Sequence, residues 1–129
     1  MRVLRDRIAE LCAEPDESLL WALPTRLRAI SLGVAEGTRD HLWTTADACA
    51  VIATLAESRW LILGMDGWLS SGPTFVPSYS NWAFSGVPSE PYSLAVSRVG
   101  VEAVQFIQHH AVASTAFSVV ARRPGAGEV

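Results

Sequence analysis

Apolar residues recur at helical spacing in four stretches of this chain, and the pattern predicts four amphipathic helices. They cover residues 2–14, 16–31, 45–58 and 90–111. Pro15 separates the first two helices and Pro24 interrupts the second, because proline disrupts the hydrogen bonding of a helix. Thr44, with Asp47 three residues later, forms a capping-box-like start for the third helix. Ser89 is expected to cap the fourth helix.

Three further stretches have the patterns of β-strands. They lie near residues 60–66, 74–84 and 115–121. Residues 60–63 read Trp-Leu-Ile-Leu, apolar on both alternating faces, which predicts a central strand that is covered on both sides. Residues 64–67 are expected to end this strand, and turn chemistry at residues 70–73 predicts that the second strand returns antiparallel beside it. Pro77 indicates an edge strand or a bulge. A short extended piece is expected near residues 41–43.

Helices and strands in this order predict an α+β fold with a small, mainly antiparallel sheet. The chain has 129 residues, half of them hydrophobic and five of them Trp, and only 18% are charged. This length fits one domain with one core, and the composition is far from that of a disordered chain. We expect a single domain over residues 1–121 and a flexible tail over residues 122–129. A monomer or a small homo-oligomer fits these numbers.

Charge and cysteine usage narrow the classes of partner and compartment. The net charge is −3 and the ten basic residues, all Arg, are scattered, so a nucleic-acid partner is not expected. No stretch approaches the roughly 20 apolar residues that span a bilayer, and the charged N-terminus lacks a long apolar region, so neither membrane insertion nor secretion is signalled. Cys12 and Cys49 lie far apart without a CxxC pairing. Two reduced, buried thiols in the cytoplasm are expected.

A search for catalytic or ligand-binding motifs predicts no catalytic residue, no cofactor and no metal site. His109 and His110 are adjacent, so their side chains point about 100° apart on a helix and cannot share one metal as an i, i+4 pair can. We expect His110 to pack on the core side of its helix and His109 to be solvated. The sequence contains no GxSxG nucleophile turn and no glycine-rich phosphate loop.

The densest group of polar and aromatic residues falls in the predicted hairpin. It comprises Asp66, Trp68, Tyr79, Asn81 and Trp82. In an extended strand Tyr79 and Asn81 share one face, so an aromatic ring and an amide could project together toward one partner. Large aromatic side chains are favoured at the centres of protein interfaces. The competing interpretation places Trp82 in the core and lets Asp66 and Asn81 bond turn amides.

Residues 61–66 read Leu-Ile-Leu-Gly-Met-Asp, similar to a strand that ends in a Gly-Gly-Asp-type turn. Residues 79–82 read Tyr-Ser-Asn-Trp, similar to a Tyr-Asp-Asn-Trp-type motif, and a long helix follows. In this order the motifs resemble the bacterial immunity protein 40 family, and the resemblance covers roughly residues 32–120. Met65 stands where the family tends to have a second Gly, and Ser80 where it tends to have an acid. A positive φ at Met65 would be strained.

The resemblance implies a cytoplasmic, non-catalytic antidote that is encoded beside a polymorphic toxin and blocks the active site or the folding of the toxin domain. The five hairpin residues, Asp66, Trp68, Tyr79, Asn81 and Trp82, are then the candidates for toxin contact. Two alternatives stay open. One is a small hydrolase or transferase that uses Asp66 with Tyr79 or His41, and the other is a ligand-binding or scaffold domain.

Overall fold

The computed structural model describes residues 19–20, 22–34, 40–112 and 114–125. In chain order its elements are α1 (Thr25–Ala29), α2 (Thr45–Glu57), β1 (Leu61–Ser71), β2 (Thr74–Ala83), α3 (Tyr92–His110) and β3 (Ala116–Arg122). The predicted α+β class is confirmed. The helix predicted over residues 2–14 lies outside the described residues, as does Cys12, and β3 extends one residue into the predicted tail. None of the described helices is long and apolar enough to cross a bilayer.

The starts of α1 and α2 follow the sequence signals. Residues 19–20 are helical, residues 22–23 form a turn, and α1 begins directly after Pro24, so the predicted interruption of the helix is present. At α2 the Thr44 hydroxyl oxygen accepts a hydrogen bond from the Asp47 backbone N–H at 3.4 Å. The same hydroxyl donates to the Asp47 carboxylate at 3.1 Å. The predicted cap of α2 is therefore confirmed.

The prediction that Ser89 caps α3 is wrong. The helix begins at Tyr92, with Pro91 in the N-cap position and no side-chain hydrogen bond to the helix end. Ser89 instead adopts a left-handed backbone conformation with φ of 63°. The physical reason is the proline itself, because the ring of Pro91 disfavours the helical conformation for the residue before it, Glu90.

The three strands form one antiparallel sheet in the order β2-β1-β3. The predicted central position of β1 is thus confirmed, and so is the edge position of β2, the strand that contains Pro77. Ser71 pairs with Thr74 across a two-residue turn in which Gly72 has φ of 60°. A positive φ at the first turn residue suits the right-handed twist of the two strands and requires glycine.

The prediction that residues 64–67 end β1 is wrong, because the strand runs through them to Ser71. Met65 is not among the described residues with positive φ, and only 2% of its surface is exposed, so it is a core residue of a regular strand. Gly64 instead allows two strands to approach each other closely. A Cβ at Gly64 would lie 3.1 Å from the Trp82 carbonyl oxygen, so the small residue lets two backbones come near each other without a turn.

Helices α2 and α3 cover one face of the sheet and build the main core with it. Its members include Val51, Ile52 and Leu55 of α2, Val99, Ala103 and Ile107 of α3, and Met65, Phe117 and Val119 of the sheet. The helices approach closely at Gly100, where an added Cβ would lie 3.5 Å from the Ala56 Cβ.

The other face of the sheet carries a smaller apolar cluster. Side chains alternate across a strand, so Asp66 and Trp68 lie on the face opposite Met65. Trp68 packs there with Leu42 and Ala116, and Phe75 packs against them. The extended piece at residues 41–43 is confirmed, since the backbones of Trp43 and Phe117 exchange hydrogen bonds of 3.0 and 2.8 Å.

Candidate functional site at the bulged edge of the sheet

The pairing of β1 with β2 is interrupted beside the candidate residues. Asp66 pairs with Asn81, and Trp68 pairs with Pro77. Between these two pairs β1 contributes Gly67 alone, whereas β2 contributes residues 78–80. The edge strand therefore bulges outward by two additional residues. We call residues 78–80 the β2 bulge.

Tyr79 is at the centre of the β2 bulge and is the most unusual residue of the hairpin. Its φ is 63°, in the left-handed region, which a bulky side chain enters at a cost of about 1–2 kcal/mol. Its side chain buries little, since 84% of the residue surface is exposed. A strained backbone that presents an exposed aromatic ring points to function, because strained residues cluster at ligand-binding and switch sites.

Serine hydroxyl groups hold the β2 bulge in place. The Ser78 and Ser114 hydroxyl oxygens lie 2.7 Å apart, and the Ser80 backbone N–H donates to the Ser78 hydroxyl oxygen at 3.4 Å. Ser114 is only 1% exposed, so this contact fastens the bulge to the interior. Gly67 makes room for the serine pair, because a Cβ there would overlap the Ser114 hydroxyl.

Asp66 and Asn81 form a polar pair next to the bulge. With its amide nitrogen facing the carboxylate, Asn81 donates to Asp66 Oδ1 at 2.8 Å and to the Ser80 carbonyl oxygen at 3.1 Å. The reverse orientation would set the amide oxygen against two acceptors, so the hydrogen-bond network selects the first. Asn81 is exposed and Asp66 is half-buried.

The carboxylate of Asp66 has no cation beside it in the described part of the chain. Burial raises the pKa of Asp66 above its ordinary value of 3.8, because a carboxylate that loses water without gaining a positive neighbour is disfavoured in its charged form. On the β3 side its register partner is Ser118, which is buried. The Ser118 hydroxyl accepts a hydrogen bond from Trp68 Nε1 at 3.0 Å.

The two tryptophans among the candidates face inward. Trp68 is 7% exposed and forms the smaller cluster, while Trp82 is half-buried against the main core and pairs with Met65. The candidates whose side chains do not pack in an apolar cluster are therefore Tyr79, Asn81 and the partly covered Asp66. The β2 bulge also breaks the regular alternation on which the shared face predicted for Tyr79 and Asn81 depended.

Sequence reasoning missed the two serines that fasten the bulge, Ser78 and Ser114. Small polar residues in loops and strands give no distinctive pattern, so nothing singled them out. Gly67 offered one usable signal, since an isolated glycine inside a strand indicates a bulge or the close approach of other atoms. Its interpretation as a strand end hid that signal.

The described histidines and Cys49 lie outside the β2 bulge. His41 Nδ1 lies 3.0 Å from the Ser31 hydroxyl oxygen. The ring of His110 packs against Phe106, toward the core, with the ring centroids 4.5 Å apart and the planes tilted by 45°, while His109 is exposed, as predicted. Burial raises the pKa of the Cys49 thiol, which disfavours a reactive thiolate. No group of three or more His, Cys, Asp or Glu among the described residues could hold a metal ion.

Fold and site define a small α+β protein whose edge strand β2 carries a bulge and an exposed tyrosine, and whose central strand β1 carries a half-buried carboxylate. Comparison of the sequence with models of known protein families and with curated proteins found no match. The resemblance to immunity protein 40 therefore rests on the motifs quoted from the sequence itself. One of those motifs, residues 64–66, lies within β1 and not in a turn.

Proposed function

We propose that this protein is an immunity protein that binds a cognate bacterial toxin domain in the cytoplasm and neutralises it without catalysing a reaction. The observation that carries the proposal is Tyr79, an 84% exposed aromatic residue in a left-handed conformation. It falls in the Tyr-Ser-Asn-Trp motif on which the family resemblance depends. Motif and strain thus point to the same short segment of β2.

Tyr79 does not stabilise the fold of the free protein. An exposed ring contributes little burial, and the left-handed backbone costs about 1–2 kcal/mol, so the residue destabilises the free protein. A tyrosine at an interface, in contrast, supplies a large contact area on few rotatable bonds. Its cost in the free protein is consistent with a gain made in a complex.

The arrangement around Tyr79 suits binding because it is fixed before any partner arrives. The hydroxyls of Ser78 and Ser114 fasten one side of the bulge, and the pair of Asn81 with Asp66 fastens the other. A preformed surface loses less conformational freedom on association. This supports an antidote that must recognise its toxin quickly and keep it bound.

A second candidate function is the small hydrolase or transferase that uses Asp66 with Tyr79 or His41. The raised pKa of Asp66 favours it, since catalytic acids often have such shifts. The contacts of these groups favour binding instead. Asp66 accepts from the Asn81 amide, and the His41 ring faces the Ser31 hydroxyl, so neither contact joins an acid to a base.

Co-expression with the product of the adjacent reading frame tests the proposed function. We expect that product alone to arrest growth and this protein to restore it. We also expect the two purified proteins to form a complex and protection to require at least equimolar antidote. Protection at a small fraction of equimolar amounts would support the enzyme instead. A harmless neighbour, or toxicity that this protein does not relieve, would overturn the proposal.

The surface is tested by the paired substitution Tyr79→Ala and Asn81→Ala. We expect the double variant to lose toxin binding while its melting temperature stays within a few degrees of the unaltered protein. A matched control, Leu94→Ala with Val101→Ala, removes two exposed side chains from α3 and should leave binding unchanged. Loss of binding in the control alone would place the interface on α3.

A further inference from the structure

We propose, resting on the proposed function, that the pair Asp66 and Asn81 is the socket for a basic side chain of the toxin domain. The juxtaposition that carries this inference is a half-buried carboxylate on the central strand β1 whose hydrogen-bond donor is a neutral amide on the exposed edge strand β2. Asn81 occupies Oδ1 of Asp66 at 2.8 Å. A carboxylate accepts about four hydrogen bonds, so acceptor capacity remains for an incoming N–H donor.

A contrast within the same protein shows what Asp66 lacks. The Glu90 side chain is 14% exposed, and its two carboxylate oxygens accept hydrogen bonds from Arg98, the shortest at 2.9 Å. Arg98 also donates to Glu102 at 3.1 Å. Asp66 is covered on both sides by strands, yet no described arginine or histidine forms an ion pair with it. The missing charge is one that a partner can supply.

The direction of approach follows from the neighbours of Asp66 in the sheet. On the β3 side lies Ser118, which is buried, and on the β2 side lies Asn81, which is exposed. The apolar cluster around Trp68 covers the next position along the same face. A partner side chain therefore reaches Asp66 from the β2 edge, the edge at which Tyr79 is exposed.

Electrostatics favours a basic occupant over a neutral one. A charge-assisted hydrogen bond to a carboxylate is about twice as strong as a neutral one, and it gains further where water is partly excluded. Burial raises the pKa of Asp66, so its charged form is disfavoured until a cation arrives. The net charge of −3 also attracts a basic partner and repels an acidic one.

The first experiment measures the dissociation constant of the purified toxin domain from the adjacent reading frame by calorimetry. We expect Asp66→Asn, which keeps the size of the side chain and removes its charge, to weaken binding by at least about tenfold. Glu57→Gln removes an exposed charge at the end of α2 and should leave the dissociation constant unchanged. Equal binding by Asp66→Asn and the unaltered protein would overturn the socket and leave the proposed function standing.

The second experiment substitutes each arginine and lysine of the toxin domain by alanine and measures binding both to the unaltered antidote and to Asp66→Asn. The measurement with the unaltered antidote does not depend on the folding of an antidote variant. We expect one toxin substitution to weaken binding to the unaltered protein by at least about tenfold and to have little further effect on Asp66→Asn. Independent, additive losses at every basic residue would overturn the socket. A toxin that the unaltered protein does not bind would overturn both proposals.

Discussion

The hydroxyl oxygens of Ser78 and Ser114 lie 2.7 Å apart across Gly67, the residue of β1 that faces the bulge of the neighbouring strand. The contact joins the exposed edge strand to a buried residue of the segment that leads into β3. It depends on the missing side chain, since a Cβ at Gly67 would overlap the Ser114 hydroxyl and come within 2.6 Å of the Ser78 hydroxyl. At Gly67 the shape of the edge strand β2 therefore depends on packing in the interior of the protein.

Gly67→Ala should destabilise the protein by about 1–3 kcal/mol, because the added methyl group forces the serine pair apart in a packed region. Urea denaturation followed by tryptophan fluorescence measures the change. Gly100→Ala is the matched control: its Cβ meets Ala56 at 3.5 Å, an ordinary contact, and a helix gains up to about 1 kcal/mol from the exchange. Equal stability losses in both variants would contradict the role assigned to the serine pair.

Tyr79→Gly should raise the free energy of unfolding by about 1 kcal/mol, because glycine adopts a positive φ freely and little burial is lost. The same substitution should abolish toxin binding, so that stability and binding move in opposite directions. Thermal denaturation and a pull-down measure the two effects. Tyr79→Phe keeps the ring and the strained backbone, and it should leave stability unchanged. A destabilised Tyr79→Gly variant would contradict the cost assigned to the left-handed backbone at this position.

The elements of this fold were predictable where one local signal decides the structure. The hydroxyl of Thr44 and the carboxylate of Asp47 cap α2 through contacts three residues apart, which the sequence displays directly. The apolar run at residues 60–63 likewise predicted a central strand. Failures occurred where a distant residue decides. Residues 64–67 resemble a turn, but they continue the strand because Ser78, Ser114 and the Trp82 backbone fill the space above the glycines.

The candidate site was predicted in composition and missed in geometry. The register set by the turn would pair Asp66 with Tyr79, and the two additional residues of the β2 bulge bring Asn81 opposite Asp66 instead. The pairing of Asp66 and the orientation of Tyr79 therefore both follow from a bulge that is fastened to Ser114, which is remote in sequence. Trp68 lies inside because it packs against Leu42, also from a distant segment. Periodicity cannot report such long-range contacts.

Asp66→Asn should remove one component of the pH dependence of stability. Since the folded protein has a raised pKa at Asp66, it binds more protons than the unfolded chain just above pH 3.8, and its stability falls as the pH rises through that window. The asparagine variant lacks this loss. We expect the variant to exceed the unaltered protein in stability at neutral pH and the difference to shrink toward pH 3. Urea titrations at several pH values measure it.

Two outcomes would contradict the claim that the charged form of Asp66 destabilises the free protein. A variant that is less stable than the unaltered protein at neutral pH would mean that the charge stabilises the free fold. A stability difference that does not change with pH would mean that Asp66 titrates as an exposed carboxyl group does.

Arg98→Gln should change the pH dependence of stability in the direction opposite to Asp66→Asn. The hydrogen bonds from Arg98 lower the pKa of Glu90, so the pair contributes stability above the ordinary glutamate pKa of 4.5 and loses it as the pH falls through the lower folded value. We expect the unaltered protein to exceed Arg98→Gln at neutral pH and the two to converge in acid. Added salt should also reduce the difference, because partly exposed ion pairs are screened.

The structural effect of Arg98→Gln should concentrate in the segment that joins β2 to α3. Arg98 donates to the Ser85 carbonyl oxygen at 3.0 Å as well as to Glu90, so one side chain fastens that segment to the helix. Hydrogen exchange should therefore accelerate around Ser85 and Glu90 before it does in α2. Arg26→Gln removes an exposed arginine of α1 and is the matched control. Exchange that accelerates equally in both variants would show that the effect follows from net charge.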